Sequence, residues 1–128
     1  MVLLVTLATI GILFITDFFI YQYGEYTLNR NYIFGMVFYK YLFNVVILAI
    51  IIFLLSILFF LKDLPKIEII AICLIIAGAT VNGVERIFLG GAVDYLRFFD
   101  IFVFNISDFL IVLGTVILTL NYYKIKSR

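Results

Sequence analysis

Two aspartates and a set of amide side chains have the types and spacing that hydrolytic chemistry requires. Asp94 and Asp108 are close enough in the sequence for the segment between them to fold back and bring both carboxyl groups together. Two carboxyl groups about 3 Å apart do not both ionise readily, so one of them stays protonated. Such a pair can activate a water molecule while donating a hydrogen bond to a carbonyl oxygen, which is how aspartic proteases work.

Other polar residues have spacings that place them beside this pair. Asn82, Glu85 and Arg86 stand at positions i, i+3 and i+4, so they share one face of a helix. Asn105 is three residues before Asp108, and Asp17 lies toward the end of the first apolar run. Ionisable and amide groups are costly in a membrane, so their collection at one end of the apolar runs indicates a functional site.

Each residue also has an ordinary structural interpretation. Asn105 and Asp108 could be a helix cap with an acidic residue in the first turn, and Glu85 and Arg86 could be an interfacial pair with snorkelling side chains. Asp94 could be a solvated loop residue, and Asp17 a structural hydrogen-bonding group. Independent structural roles would not be expected to place all these groups at the same membrane face, so the joint pattern favours the functional interpretation.

The elements that position these residues are predicted to be transmembrane helices. The chain is 66% hydrophobic and 13% charged, with a mean hydropathy of +1.27, which is typical of a membrane protein. Its apolar runs are continuous, and each is close to the roughly 20 residues that cross a bilayer as a helix. The sequence therefore predicts an all-α integral membrane protein with one domain, 1–128, and four transmembrane helices, at about 2–23, 40–61, 68–89 and 105–123.

Charges in the short connections predict the orientation. Cytoplasmic connections of membrane proteins carry an excess of lysine and arginine. One side of the predicted bundle would carry Lys62, Lys66 and the basic carboxyl-terminal residues, and the other side Arg30, Lys40 and Arg97. Both termini are therefore expected in the cytoplasm. The connections at about 24–39 and 90–104 would then be extracytoplasmic. The first, rich in Tyr, Phe and Asn, predicts an extended segment. The second, with Asp94, Arg97 and Asp100 spaced three apart, predicts a short interfacial helix at 94–102.

The composition excludes several classes of chemistry. The chain has no histidine, which removes histidine triads and histidine-ligated metals, and the single Cys73 lies within the third apolar run. No metal or cofactor is expected, since the two carboxyl groups can supply both base and acid. Outside the termini there is no basic cluster, so nothing indicates nucleic acid binding.

The segments "AGATVNGVERIFLGGAVDYLRF" and "FNISDFLIVLG" resemble the lipoprotein signal peptidase family, also called signal peptidase II. Its signature reads approximately G-G-A-x-G-N-x-x-D-R, then V-V-D-F, then F-N-x-A-D-x-x-I-x-x-G. The resemblance implies that Asp94 and Asp108 form the catalytic pair. It also implies that Asn82, Arg86 and Asn105 hold this pair and the substrate backbone.

The resemblance is specific over residues 77–114 and weaker over 17–38. Glu85 stands where the family has an aspartate before the arginine, and Ser107 stands where it has alanine. In the first helix the family motif D-x-x-x-K appears as Asp17 with Tyr21 in the lysine position. The family motif N-x-G-x-x-F appears with Gly35 kept and isoleucine in place of asparagine.

The resemblance implies a membrane aspartic endopeptidase that removes the signal peptide from prolipoproteins at the bond before a diacylglyceryl-cysteine. Such an enzyme would be a monomer in the inner (cytoplasmic) membrane, in contact with membrane lipid, with its active site near the extracytoplasmic face. The main alternative is a small four-helix proton or ion transport subunit that uses Asp17, Glu85, Arg86 and Asp108. The path of a proton or ion through such a subunit should include polar groups near the middle of the bilayer. The only polar side chains within span two are Asn44 and Ser56. A non-enzymatic assembly protein is a third possibility.

Overall fold

A computed structural model describes residues 2–30, 37–60, 63–99 and 101–126 of the chain. These residues form four helices and four short strands. The helices are α1 (Val2–Tyr23), α2 (Val37–Phe60), α3 (Lys66–Phe88) and α4 (Ile106–Lys126). The strands are β1 (Thr27–Asn29), β2 (Ala92–Asp94), β3 (Leu96–Phe98) and β4 (Phe102–Phe104). The predicted site residue Gly35 lies outside the described residues.

A helix lies at each of the four apolar runs, as the sequence predicts. The stretches Leu3–Tyr23, Lys66–Phe88 and Ile106–Lys124 are long and apolar enough to cross a membrane, and Asn44–Phe60 is a shorter apolar stretch. The outer surfaces are apolar as well: Leu4 is 72% exposed and Phe59 is 74% exposed. Side chains of this kind are stable on the outside of a bundle when the surroundings are hydrocarbon.

Helix α3 is the centre of the bundle and packs against α1, α2 and α4. One apolar cluster, Leu54, Ile72, Ile75 and Ile76, joins α2 to α3. A second, Leu13, Ala77 and Val81, joins α1 to α3 next to the polar residues of α3 and in the turn before them. The polar groups of α3 are thus fixed to its neighbours by apolar contacts beneath them.

The prediction of an interfacial helix at 94–102 is wrong. This segment contains the end of β2 and the strand β3, which pairs antiparallel with β4 through Leu96 with Phe104 and Phe98 with Phe102. The three-residue spacing of the charged residues fits a helix, but most residues between them are aromatic or β-branched and favour strands. Pairing β3 with β4 also satisfies backbone hydrogen-bonding groups of both segments.

The prediction of an extended first connection is correct for β1. This strand pairs antiparallel with β2, and the partners are Thr27 with Asp94, Leu28 with Val93 and Asn29 with Ala92. Gly90 has a positive φ of 76°, which favours glycine and lets the chain reverse just after α3 so that β2 returns toward the bundle. The β1–β2 pair therefore lies against the end of α3 that carries the polar residues.

Helices α3 and α4 approach closely at two glycines. A Cβ atom added at Gly78 would overlap the backbone oxygen of Ser107, and one added at Gly114 would lie 2.5 Å from the backbone oxygen of Ala71. Small residues allow such close contact between membrane helices. Because Ser107 precedes Asp108, this contact also sets the position of Asp108 relative to α3.

We expect Gly78→Ala to lower the free energy of unfolding by about 1–3 kcal/mol, because the added methyl group forces the two helices apart. The measurement is thermal denaturation in detergent micelles. Gly11→Ala is the matched control, since no atom lies within 4 Å of a Cβ added there. Equal melting temperatures for the two variants would contradict the packing described for α3 and α4.

Candidate active site

Asp94 ends β2 and is almost completely buried, with 1% of its surface exposed. Both of its carboxylate oxygens accept hydrogen bonds from amide groups. Asn29 Nδ2 donates to Oδ2 at 2.7 Å, and Asn105 Nδ2 donates to Oδ1 at 3.1 Å. The solvated-loop interpretation of Asp94 is therefore excluded.

Asp108 lies in the first turn of α4 and is half-buried. Its Oδ1 accepts a hydrogen bond from Asn82 Nδ2 at 2.6 Å. Its backbone N–H donates to Asn105 Oδ1 at 2.8 Å, while the Asn105 backbone N–H approaches Asp108 Oδ2 at 3.4 Å. Asn105 thus caps α4, as one interpretation of the sequence suggests. The Asp108 side chain in turn accepts from the backbone N–H of Asn105, which is the arrangement of a capping box.

The capping bond uses only the side-chain oxygen of Asn105, so its side-chain nitrogen can donate hydrogen bonds elsewhere. Asn105 is fully buried, and its Nδ2 donates both to Asp94 Oδ1 and to Asn82 Oδ1, the latter at 2.9 Å. Asn82 in turn donates to Asp108. The structure therefore joins the two predicted catalytic aspartates through a pair of asparagine amides, with one carboxylate at each end of the chain of hydrogen bonds.

Burial raises the pKa of Asp94 from 3.8 to about 6, because the ionised carboxylate loses water. The negative charge of Asp108 raises this pKa as well. Hydrogen bonds from Asn29 and Asn105 and the positive charge of Arg86 favour the ionised form and lower it in part. The charge on Asp108 thus affects proton binding by Asp94.

The raised pKa of Asp94 predicts how stability depends on pH. The folded protein binds this proton more tightly than the unfolded chain, so the stabilisation is complete below about pH 3.8 and is lost as the pH rises through about 6. The melting temperature in detergent should therefore decrease as the pH rises from about 3.8 to about 6. Asp94→Asn should make this decrease smaller. Asp63→Asn, in the exposed turn before α3, is the control and should keep the wild-type slope. If the melting temperature of Asp94→Asn depended on pH as steeply as that of the wild type, the raised pKa of Asp94 would be contradicted.

Arg86 fixes the sheet to α3. Arg86 is 9% exposed, and its guanidinium donates from one terminal nitrogen to the backbone oxygen of Asn29 at 3.2 Å. It therefore does not snorkel toward water. By holding the end of β1, Arg86 keeps the Asn29 amide in position against Asp94.

Asp17 and Glu85 form a second buried acidic group, with 2% and 5% of their surfaces exposed. Tyr95 donates its hydroxyl proton to Asp17 Oδ1 at 2.9 Å. The backbone N–H of Val93 donates to Glu85 Oε2 at 2.9 Å. Both acids thus contact residues that are next to Asp94 in the sequence.

Sequence reasoning missed two residues that contact the acidic groups, Asn29 and Tyr95. Asn29 is one of two asparagines in an aromatic-rich segment, and nothing in its spacing relates it to Asp94. Tyr95 follows Asp94 directly, but its hydroxyl group reaches Asp17, 78 residues away. The strand pairing that places both residues is a long-range feature, which local patterns do not reveal.

Two cavities open beside the linked aspartates. One, of about 240 Å³, lies among α2, α3 and α4 and has mostly apolar walls, including Ile47, Ile50 and Ile111, with Asp108 at its lining. The other, of about 530 Å³, is lined by Thr27 of β1, by Arg30 just after β1, by residues of β4, and by Asp94. Among the described residues, no cluster of acidic or cysteine side chains is arranged to hold a metal ion.

Comparisons with known proteins agree on one family. A family model described as signal peptidase (SPase) II matches residues 2–124. The lipoprotein signal peptidase of Clostridium tetani is 37% identical over 119 residues, which cover 88% of this chain and 74% of that protein. The lipoprotein signal peptidase of Clostridioides difficile is 44% identical over 63 residues, which cover 46% of this chain and 43% of that protein.

A solved structure described as a bacterial membrane enzyme, determined by the in meso method at 2.3 Å resolution, has the same fold. Its TM-score is 0.83, and the match covers 98% of this chain and 89% of that one at 22% sequence identity. At this level of identity the comparison establishes the fold.

Proposed function

Because this chain belongs to the signal peptidase II family, we propose that it is a membrane-embedded aspartic endopeptidase that removes signal peptides from prolipoproteins. The bond cleaved would be the one before a diacylglyceryl-modified cysteine. Asp94 and Asp108 would be the catalytic residues, with Asn82, Asn105, Arg86, Asp17 and Glu85 in support.

One observation carries the proposal: two carboxyl groups are joined through buried amides at a point that two cavities reach. In the reaction, the ionised carboxylate takes a proton from a water molecule, and the water oxygen attacks the carbon of the scissile peptide. The protonated carboxyl donates its proton to the carbonyl oxygen. When the tetrahedral intermediate collapses, the carbon–nitrogen bond breaks and the leaving nitrogen takes the proton that the first carboxylate accepted from water. The hydroxyl formed on the carbonyl oxygen returns its proton to the second carboxylate, so both groups regain their starting states.

The supporting residues keep this pair in the required state. Asn105 donates to Asp94, and Asn82 donates to Asp108, so each carboxylate is oriented by a fixed amide. Arg86 orients Asn29, and Asn29 orients the second oxygen of Asp94. Fixed donors of this kind lower the barrier because they need no rearrangement while the reaction proceeds.

The cavities indicate how a signal peptide would lie. The apolar cavity among α2, α3 and α4 would accept apolar side chains of the signal helix entering from the lipid. The polar cavity beside β1 and β4 would accept the mature polypeptide on the other side of the cleaved bond. The scissile bond would thus lie across the amide-linked aspartates.

We further propose a single domain with four spans, with both termini in the cytoplasm and the active site at the extracytoplasmic face of the cell membrane. The distribution of lysine and arginine supports this orientation. A site at the edge of the bilayer has access to water, which peptide hydrolysis requires. The protein would act as a monomer without a cofactor, since the two carboxyl groups supply both acid and base.

The alternative of an ion transport subunit has less support. An ion path needs polar groups along the whole membrane, and the apolar cluster of Leu54, Ile72, Ile75 and Ile76 closes the contact between α2 and α3 away from the acidic groups.

The test is cleavage of a diacylglyceryl prolipoprotein by the purified protein, followed by a gel shift and by mass spectrometry of both products. We expect a mature product that begins with the lipid-modified cysteine and no cleavage of the same substrate without its lipid. The lipoprotein signal peptidase of Clostridium tetani is the positive control. Absence of cleavage under conditions where that enzyme is active would contradict the proposal.

A further inference from the structure

We propose that Asp17, Glu85 and Tyr95 form an acid latch, which positions Asp94 and holds only while the carboxyl groups of Asp17 and Glu85 share a proton. The proposal rests on the proposed function, because it concerns the residue that we assign to catalysis. The three residues would be positioning residues, which act on the reaction through Asp94.

The acid latch holds the chain on both sides of Asp94. Glu85, on α3, accepts a hydrogen bond from the backbone N–H of Val93, and Asp17, on α1, accepts one from the hydroxyl group of Tyr95. Val93 and Tyr95 are the immediate neighbours of Asp94. Two helices of the bundle therefore fix the backbone of the same catalytic residue through two different acids.

The contact between the two acids requires a proton. The carboxyl groups of Asp17 and Glu85 lie close enough to affect each other's proton binding, and two carboxyl groups can hydrogen-bond to each other only if one of them holds a proton. Asp17 Oδ2 is buried and accepts no hydrogen bond from an N–H or hydroxyl group of the described residues. A proton held by Glu85 would give Asp17 Oδ2 the donor that it lacks among the described residues.

The surroundings oppose a second negative charge. Asp94 and Asp108 are the other acidic groups near the latch, and both add negative potential. The cavity beside Asp17 and Glu85, of about 360 Å³, is lined mainly by apolar and aromatic residues, including Phe14, Tyr21 and Phe88, and by no basic residue. Removing the shared proton would therefore place two like charges in contact where little solvent screens them.

Tyr95 can act as a donor throughout the working pH range. Burial raises its pKa further above the ordinary value of 10, and the hydrogen bond to Asp17 acts in the same direction. The hydroxyl group therefore keeps its proton when the pH rises, whereas the proton shared by Asp17 and Glu85 is the one that can leave. Loss of that proton would push Asp17 and Glu85 apart, and each carboxylate would displace the neighbour of Asp94 that it holds, which lowers activity at alkaline pH.

The first experiment compares the pH profile of kcat for the wild type and Glu85→Gln. Glutamine can still accept from Val93 and donate to Asp17, but it has no proton to lose. We expect the alkaline fall in kcat to move upward by at least about one pH unit, which corresponds to a tenfold change in proton affinity. A merely structural role for Glu85 would lower kcat equally at every pH. An alkaline fall at the same pH as in the wild type would overturn the proposal.

The second variant, Tyr95→Phe, removes only a hydroxyl group. We expect kcat to fall about tenfold with an unchanged KM, because the lost hydrogen bond to a charged group orients Asp94 and touches no substrate. Tyr23→Phe is the matched control, since Tyr23 is 82% exposed at the same end of α1. An unchanged kcat in Tyr95→Phe would overturn the proposal.

A spectroscopic measurement tests the shared proton without enzyme activity. In the double variant Asp94→Asn, Asp108→Asn, the infrared spectrum should retain the band of a protonated buried carboxyl, and adding Glu85→Gln should remove it. A double variant without this band would overturn the latch. Failure of the wild type to cleave any lipidated prolipoprotein would instead contradict the proposed function and leave the infrared test of the latch intact.

Discussion

Replacing either Asp94 or Asp108 with asparagine should lower the rate of prolipoprotein cleavage by roughly 10²- to 10⁴-fold, the contribution of acid–base catalysis by a positioned side chain. Asparagine has nearly the shape of aspartate but neither accepts a proton from water nor donates one to a carbonyl oxygen. The measurement is a single-turnover gel-shift assay with wild type and both variants. Because either loss disables the pair, the double variant should be no slower than the slower single variant.

Two controls make this result specific. Asp63→Asn changes an exposed carboxylate in the turn before α3 and should leave the rate within about twofold of the wild type, as surface substitutions normally do. Each variant should also bind lipidated substrate, because the cavities remain. Turnover above a tenth of the wild-type rate in either active-site variant would contradict an aspartic mechanism at these residues.

Asn105→Leu should have the second largest effect, lowering kcat by roughly 10²- to 10³-fold and destabilising the protein. Leucine fills a similar volume but removes the donor to Asp94 and Asn82 and the acceptor for the backbone N–H of Asp108. Each buried polar group left without a partner costs about 1–3 kcal/mol. The measurements are single-turnover cleavage and thermal denaturation of the same preparations.

Asn121→Leu on the same helix provides the control for Asn105→Leu. Asn121 donates to Glu68 Oε1 at 2.6 Å, so this substitution also breaks a contact between α3 and α4, but it does so near the opposite end of the bundle. We expect some loss of stability and an unchanged kcat. Equal effects of the two substitutions on kcat would mean that Asn105 contributes to helix packing rather than to the aspartate pair.

The sequence predicts the helices well because their signal is local. Each apolar run is long, continuous and bounded by charged or turn residues, and the structure has a helix at each run. Helix periodicity also places Asn82, Glu85 and Arg86 on one face, and in the structure all three are buried and turned to neighbouring elements. The site could therefore be located at one end of the bundle before any tertiary contact was known.

The sequence does not predict the strands or the contacts that they make. The charged residues near Asp94 have helical spacing, yet pairing with distant segments decides the structure, and Arg97 lies in a strand. The register of β1 on β2 brings Asn29 to Asp94, and no short pattern encodes that register. Similarly, the contact of Asp17 with Tyr95 depends on how α1 packs against the sheet, which hydropathy does not specify.

Because β1 and β2 pair outside the helices, the proposed active site can open without unfolding of the helix bundle. A ladder of three residues is too short to persist by itself, so it remains formed only while it is docked on α3. Opening of this ladder would remove Asp94 from Asp108 while the helices stay packed on one another, at a free energy below that of global unfolding. Hydrogen exchange should accordingly report two separate opening free energies, and a lipid that stiffens the helices would protect the protein from denaturation without protecting its catalytic competence.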